Sequence, residues 1–405
     1  MNVKPEVLSP AGDAERLEAA LLYGADAVYL SMTQFGMRTA PQNFDEAALA
    51  TAVAQAHAKG VRVYLTCNIL PRNDEIERLP SYFEAAVAAG VDALIVADLG
   101  VIGLAKRYAP TLPLHISTQF GVVNFQTARE LYDMGASRVV LARELSLEEI
   151  ATIRAKTPTE MEIECFVHGA MCMSYSGRCL ISNYLTGRDA NHGDCAQPCR
   201  WRYEVIEPSA PDNRYTVEED THGSYLFNAN DLNMIEHIPA LYHAGVTSFK
   251  IEGRAKAAYY AAVTTNAYRA ATDGFIASGY SKEYQPPQWV VEELQKVSHR
   301  PYTTGFYFDT PGQNLAYGGY VREYQVAAVA VSWENGVLTA SQRNRFCLGE
   351  TLEVLEPGKE PFSLPITALY DEEGTAIEAT PHPTMLFRVP CERPIAAGSL
   401  LRRKV

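Results

Sequence analysis

The chain has 405 residues, 47% hydrophobic and 20% charged, which describes an ordinary soluble protein of two or three domains with enough apolar residues for a large core. No run of eighteen apolar residues occurs, and the opening MNVKPEVLSPAGDAERLEAA lacks the cationic region, apolar stretch and cleavage site of a secretory leader, so a cytoplasmic protein without a membrane helix is expected. A net charge of −13 speaks against broad nucleic-acid binding and leaves room only for a local basic patch.

In chain order, the first 255 residues repeat a unit of helix, glycine turn and short apolar strand. Four copies stand out: LEAALLYGADAVYLS, FEAAVAAGVDALIVAD, LYDMGASRVVLARE and LYHAGVTSFKIEGR. In each, a helical apolar pattern ends at a glycine (Gly24, Gly90, Gly135, Gly245) able to take the left-handed conformation of a C-cap, and branched residues follow at once. With VLSP at 7–10, VRVYLTCN at 61–68, LHISTQ at 114–119 and EIECFVHG at 162–169, eight strands alternate with helices. That pattern predicts a closed (β/α)8 TIM-like barrel over residues 1–319. An open doubly wound sheet would want a glycine-rich dinucleotide fingerprint after the first strand, and Ser9-Pro10-Ala11-Gly12 is too short for one.

The segment 170–247, about 80 residues between the seventh and eighth strands, is too long for a loop and is read as an insertion. Within it 208–223 is polar and reads as an exposed loop, and FNANDLNMIEHI reads as a strand entering a helix capped by Asn230 or Asp231. After the eighth strand, AKAAYYAAVTTNAYRAATDGFIASG and WVVEELQKVSHR read as helices. From residue 320 to 405 the text alternates and is rich in turns, with Glu334-Asn335-Gly336 as a hairpin signal, which predicts a small β-barrel domain. Arg343, Arg345, Arg402, Arg403 and Lys404 would give that domain a basic edge able to touch RNA backbone, or a face that packs on the main barrel or a second subunit.

In a barrel of this kind, functional groups belong at the C-terminal ends of the strands. Those ends carry Ser31, Asn68, Asp98, Ser117 with Gln119, Arg143 with Glu144, His168, and Glu252 with Arg254. His168, Arg143, Glu252 and Arg254 are the candidate catalytic residues. A histidine titrates near neutrality and suits acid or base work, although one beside a metal site often only supports a ligand. His115, alternating with apolar neighbours, reads as a core histidine. The two arginines have a plainer alternative, ion pairs with Glu144 or Glu252 across the mouth.

The densest chemistry lies from Glu164 to Arg202, which holds five of the eight cysteines. Cys172 and Cys179 are separated by six residues, Cys179 and Cys195 by fifteen, and Cys195 and Cys199 by three, with Gly169, Gly177, Gly187 and Gly193 between or beside them. Four thiolates suit a tetrahedral zinc or an iron-sulfur cluster. Structural zinc favours two tight pairs, and only the second pair is tight, so the spacing leans to a 4Fe-4S cluster, with zinc or buried thiols left open. Arg178, Arg188, Arg200 and Arg202 supply a basic patch around the cysteines, or are charges paired with nearby acids. Cys67, Cys165, Cys347 and Cys391 read as small buried hydrophobes. Without a secretory leader the cysteines are expected reduced.

The run Glu164, Phe166, Gly169, Ala170, Met171, Cys172, Gly177, Cys179, Ile181, Ser182 resembles the signature of the collagenase-like peptidase family, family U thirty-two. Members of that family are associated with oxygen-independent hydroxylation of wobble uridine in tRNA, of a ribosomal RNA cytidine and of ubiquinone precursors. Chain length, RELSLEEI at 143–150, NHGDCAQPCRW and the β-rich tail most resemble the branch acting on tRNA with prephenate as hydroxyl source. The resemblance implies a 4Fe-4S cluster on Cys172, Cys179, Cys195 and Cys199, the tRNA anticodon loop and prephenate as partners, and room for an electron-donor protein. It further implies a dicarboxylate, for which Arg143 and Arg254 are the candidate clamp. A fully ligated cluster offers no open iron to S-adenosylmethionine, and it would pass electrons or hold the insertion in shape. The family's older label, a protease, finds no HExxH motif or nucleophile elbow here. Hydroxylation of a small aromatic such as a quinone precursor is the third reading, and the β-rich tail favours RNA over it.

Overall fold

The computed structural model describes residues 3–36, 43–172, 174, 175, 178–201, 205–207, 210–215, 229–309 and 320–405. Eight parallel strands close into a barrel: β1 (Glu6–Pro10), β2 (Ala27–Leu30), β3 (Arg62–Cys67), β4 (Ala93–Val96), β5 (Leu114–Ile116), β6 (Ala136–Val140), β7 (Glu162–Ala170) and, after the insertion, Ser248–Ile251, here β11. The register runs from Leu8↔Ala27 through Val140↔Glu164, and Phe249↔Cys165 with Val7↔Phe249 closes the ring. All eight expected strands are present, in the expected order.

The helices between them begin where the sequence supplies caps. Asp13, Asp45, Asp98, Asn124 and Ser146 each accept a hydrogen bond from a first-turn N–H, opening α1 (Ala14–Leu22), α2 (Glu46–His57), α5 (Leu99–Tyr108), α6 (Phe125–Asp133) and α7 (Leu147–Ala155). The short α3 (Asn73–Ile76) and α4 (Leu79–Ala89) lie between α2 and β4. Gly24, Gly90, Gly135 and Gly245 all have positive φ, as the helix-to-strand turns require. No helix among the described residues is long and apolar enough to cross a membrane.

The insertion contributes α8 (Ile181–Thr186), the hairpin β8 (Val205–Glu207) with β9 (Ala210–Tyr215), and β10 (Asp231–Asn233), which pairs antiparallel with β7. Two expectations change here. Part of the segment read as a polar loop is strand β9, the rest of 208–223 lying outside the described residues. Asp231 caps no helix: it sits buried in β10 and accepts the Arg300 N–H at 3.1 Å, while α9 (Ile238–His243) starts later with no side-chain cap. The long α10 (Ala258–Ala277) covers the barrel beside α1, followed by α11 (Gln288–Glu293) and β12 (Tyr302–Thr303).

The C-terminal strands β13 (Tyr324–Glu334), β14 (Val337–Gln342), β15 (Thr351–Leu355), β16 (Phe362–Pro365), β17 (Tyr370–Asp371), β18 (Leu386–Pro390) and β19 (Leu400–Lys404) form one antiparallel half-barrel ordered β16-β15-β19-β13-β14-β18-β17. Asn335 and Gly336, at φ 49° and 82°, make the tight turn between β13 and β14. The half-barrel wraps its own core around Phe346 and Phe387 and docks on the helices. Tyr23 donates to the Leu355 carbonyl at 3.0 Å, and the Gly358 N–H donates to Asn266 at 2.7 Å.

That docking removes the expected basic edge. Arg402 is fully buried and bridges Glu293 of α11 to Glu353 of β15, which Lys296 also holds at 2.9 Å. Arg403 pairs with Glu350, and Lys404 with Glu323 at 3.0 Å. Of the five, Arg343 and Arg345 are exposed and have no ion pair among the described residues. Packing against the barrel is therefore what this domain's arginine serves.

Candidate active site at the barrel mouth

The barrel interior is charged where most such cores are apolar. Beside a cluster of Leu8, Ala27, Tyr29, Tyr64, Ala93 and Ile95 stand ions held in a continuous network, which begins at the N-terminal ends of β1, β6 and β7. Arg138 reaches Glu6 at 2.7 Å, Glu162 at 2.6 Å and Glu164 at 2.8 Å, and Glu164 in turn holds the Lys250 ammonium at 2.6 Å. Burial alone would raise the Glu6 pKa, and the adjacent Arg138 overrides it and holds the carboxyl below its usual range. His115 lies in the same interior; burial first, then the nearby cations, push its pKa well down, so it stays neutral as a core histidine should.

At the C-terminal ends of the strands a cavity of about 140 Å³ opens. Its lining includes Asn68, Ser117, Gln119, Arg143, Glu144, Glu252 and Arg254, so most of the strand-end residues read from the sequence do converge. Asp98 and Ser31 do not. Asp98 accepts from Gly100 and Val101 at the start of α5, and buried Ser31 donates to the Met32 carbonyl.

Arg143 lies 3.8 Å over the Phe166 ring, donates to the Ala170 carbonyl at 2.6 Å and faces Glu252 at 3.6 Å. The ion pair foreseen as the plain alternative thus exists, at the long end of the range. Its Nε and the Gln119 Oε1 are buried on the cavity wall without a hydrogen-bond partner among the described residues. Arg254 is buried and donates to Thr66 at 2.9 Å. Two glycines make room for this wall. Gly12 packs directly on the Arg254 carbonyl, and a Cβ at Gly169, where φ is +106°, would come within 2.5 Å of the Glu252 carbonyl.

Two results depart from the sequence reading. His168, expected as acid or base, is 1% exposed and does not line the cavity. It sits among the rings of Tyr260, Tyr268 and Tyr302, and burial lowers its pKa to about 3, which leaves it neutral and structural. The sequence placed it at a strand end, but the register of β7 against β11 shifts between Phe166 and His168, and the end of β7 pairs with β10. Conversely, Lys250 was missed. It lines the cavity floor 4.7 Å over Tyr29 and 5.4 Å over Phe166. Its signal was parity: in SFKIEGR, Lys250, Glu252 and Arg254 share one side of the strand and its extension.

The opposite wall belongs to the insertion. Cys172, Cys179, Cys195 and Cys199 all line the same cavity, and none forms a disulfide. Cys195 Sγ accepts the Gln197 N–H at 3.3 Å, Asn191 donates to the Cys179 carbonyl at 2.9 Å, and the Ala196 N–H binds Ser182 at 2.9 Å. His192 ties this fold to the barrel, with Glu75 at 3.0 Å and Asp189 at 3.2 Å. Among the described residues, no three His, Cys, Asp or Glu side chains gather closely enough to hold a single metal ion. The donor set facing the cavity includes four thiols, soft ligands of the kind that suit zinc or an iron-sulfur cluster. Of the arginines expected around it, Arg178 is exposed and Arg188 pairs with Asp194 at 2.7 Å, while Arg202 and the Arg200 side chain, like Gly177, lie outside the described residues. Cys67, Cys165 and Cys391 are buried with their pKa values raised by burial, consistent with plain core roles, and Cys347 is half-buried in the C-terminal domain.

A TIM-like barrel with a cysteine-bearing insertion folded over its mouth defines the class of this protein. The chain matches the model of Peptidase family U32 over residues 12–316 and that of the family's C-terminal domain over residues 322–402, and it belongs to that family. It is 35% identical over 405 residues to the tRNA hydroxylation protein P1 of Bacillus subtilis (strain 168), covering 99% of this chain and 95% of that one. It is 37% identical to the 23S rRNA 5-hydroxycytidine C2501 synthase of Escherichia coli (strain K12), over 74% of this chain and 45% of that one. A protein named collagenase from Porphyromonas gingivalis (strain ATCC BAA-308 / W83) is 33% identical over 78% of this chain and 76% of its own length.

Proposed function

We propose that this protein is a cytoplasmic RNA-modifying enzyme that places a hydroxyl on C5 of the wobble uridine of tRNA without molecular oxygen. Prephenate is the hydroxyl source in this reading, and Cys172, Cys179, Cys195 and Cys199 hold a 4Fe-4S cluster. The observation that carries the reading is one cavity with two unlike walls. Four thiols line one side, and Arg143, Lys250 and Arg254 line the other. The near full-length similarity to a protein named for tRNA hydroxylation supports the RNA substrate.

Each group has a role that follows from its chemistry. In this reading Arg143 and Arg254 take the two carboxylates of the donor, and the Arg143 Nε, without a hydrogen-bond partner among the described residues, supports it as one N–H left to give. Lys250, fixed by Glu164, adds a third positive charge at the floor. Glu252 orients Arg143, and it and Glu144 are the carboxylates of the cavity lining that could accept a proton. Replacing the C5 hydrogen of a pyrimidine by hydroxyl removes two electrons from the base, and loss of carbon dioxide and hydroxide from prephenate takes up none, so a protein that accepts those two electrons, in place of the electron donor expected from the resemblance, is part of the proposal. A bound cluster, ligated by four thiolates, supplies one-electron transfer.

The test is mass spectrometry of tRNA nucleosides from a strain lacking the gene. Loss of 5-hydroxyuridine and its derivatives, restored by the intact gene and not by Cys172→Ser, is expected; an unchanged nucleoside profile would sink the tRNA reading. Protein purified without air should carry about four irons per chain and absorb near 400 nm, roughly where such clusters do. Cys195→Ser should lose that absorption and Cys391→Ser keep it, whereas one zinc in a colourless protein would refute the cluster.

A further inference from the structure

Among the described residues, twelve large hydrophobic side chains are exposed, and five of them fall between residues 175 and 201: Tyr175, Leu180, Tyr184, Leu185 and Trp201. Three of the four exposed aromatics are in this stretch, with Tyr184 88% exposed. A soluble surface scatters such residues singly, so their concentration on one short segment calls for an occupant.

Their placement follows from how the segment folds. On α8, Ile181 turns into the cavity and Ser182 is buried under the Ala196 N–H. Leu180 and Tyr184, four residues apart and both exposed, then share the outward side, with the Tyr184 N–H bonded to the Leu180 carbonyl at 2.9 Å. The single turn Pro198–Arg200 packs against α8, and Trp201 follows it directly. Tyr175 lines the cavity itself. The exposed apolar side chains thus lie on the segment that walls the cavity, with Tyr175 at the opening itself and the others on its outer side.

The charge of the segment narrows the choice of partner. From Cys172 to Arg202 the sequence carries four arginines (178, 188, 200 and 202) against Asp189 and Asp194, with no Lys or Glu, a local excess of two positive charges in a chain of net −13. Arg72, 70% exposed, stands at its base beside Asp189. Flat aromatic faces interleaved with arginine are what unpaired nucleotides recognise, bases stacking on the rings and phosphates meeting the guanidinium groups. A base that enters a cavity must leave its stack, and its neighbours lose their stacking partner when it does.

We propose that Tyr175, Leu180, Tyr184 and Trp201 form a stacking platform for the unpaired nucleotides that flank the target base while that base occupies the cavity. This rests on the RNA reading above and adds the surface that grips the loop. Arg188, exposed beside Asp194, serves the phosphates at its edge.

The experiment uses the full chain, purified without air, and a fluorescent RNA hairpin carrying the unmodified anticodon loop, with a blunt duplex of the same stem as control. Tyr184→Ser should weaken hairpin binding roughly five- to 150-fold, the range for losing one base-stacking contact. Tyr184→Phe should bind like the parent, because the ring and not the hydroxyl does the stacking. Neither change touches the core, so the far-UV spectrum and melting temperature should hold. The dependence of affinity on salt should keep its slope in Tyr184→Ser, since no cation is removed. If the parent binds hairpin and Tyr184→Ser and Leu180→Ser bind it equally well, the platform is wrong while the RNA reading stands. If the parent fails to bind hairpin at all, both fall together. A parent that sediments as a dimer, with Tyr184→Ser a monomer of unchanged RNA affinity, would reassign the surface to contact between two copies of the chain and overturn the proposal.

Discussion

The ion pair between Lys250 and Glu164 is the most exposed joint in the argument for the cavity, because it was invisible in the sequence and fixes the charge at the floor. Both side chains are buried and their charged atoms are 2.6 Å apart. Removing one member of such a pair strands the other and costs about 3–5 kcal/mol. The two single changes are not equivalent. In Lys250→Met, Glu164 keeps Arg138 at 2.8 Å and the Ser248 hydroxyl at 3.3 Å, so the loss belongs at the low end, about 3 kcal/mol. In Glu164→Gln, Arg138 keeps Glu6 and Glu162, but the ammonium is left between the Tyr29 and Phe166 rings without a carboxylate, and the loss belongs at the high end. Combining the two removes both stranded charges, so the double variant should be at least about 2 kcal/mol more stable than the sum of the singles implies. Urea unfolding of parent, two singles and the double, followed by far-UV circular dichroism, reads this directly. Additivity within about 0.5 kcal/mol would mean that the ammonium is not held at the floor, and the three-cation wall would lose its third member.

Further outcomes follow from other contacts. Arg143→Lys keeps the charge but loses the planar stack on Phe166 and the forked donor, so KM for the carboxylate donor should rise about ten- to 150-fold with a smaller change in kcat; a change in kcat alone would contradict a binding role. His168 has its folded pKa lowered to about 3, so below the unfolded value of about 6.5 the unfolded chain binds the proton first and stability falls as pH falls. Between pH 7.5 and 5.5 the parent should lose about 1.4 kcal/mol more than His168→Phe, measured by urea unfolding at both values; equal losses would show the ring is not kept neutral. Arg402→Met leaves Glu293 and Glu353 to Lys296 alone and should cost about 3 kcal/mol, seen as earlier release of the C-terminal half-barrel in limited proteolysis, with unchanged digestion as the contrary result.

What could be read without coordinates was whatever local chemistry encodes. C-cap glycines and short branched strands recur in the text, so all eight strands and their closure were legible from Gly24, Gly90, Gly135 and Gly245 and the apolar runs that follow them. The four clustered cysteines were legible for the same reason, since their spacing is local and their convergence on one cavity needs only a short chain to fold back. The misses at the site and at the domain interface are questions of which way a side chain faces. His168 ends a strand yet points into a ring of tyrosines, because β10 adds to the edge of β7 there and turns that end of the strand into core. Arg402 looked like a basic terminus and is instead a buried clamp, because its partners Glu293 and Glu353 come from two other elements. Lys250 joins Glu164 across 86 residues of sequence. Charges settled by partners distant in the chain leave no local trace, and a cavity built from them is where a fold readable from its sequence carries a chemistry that is not.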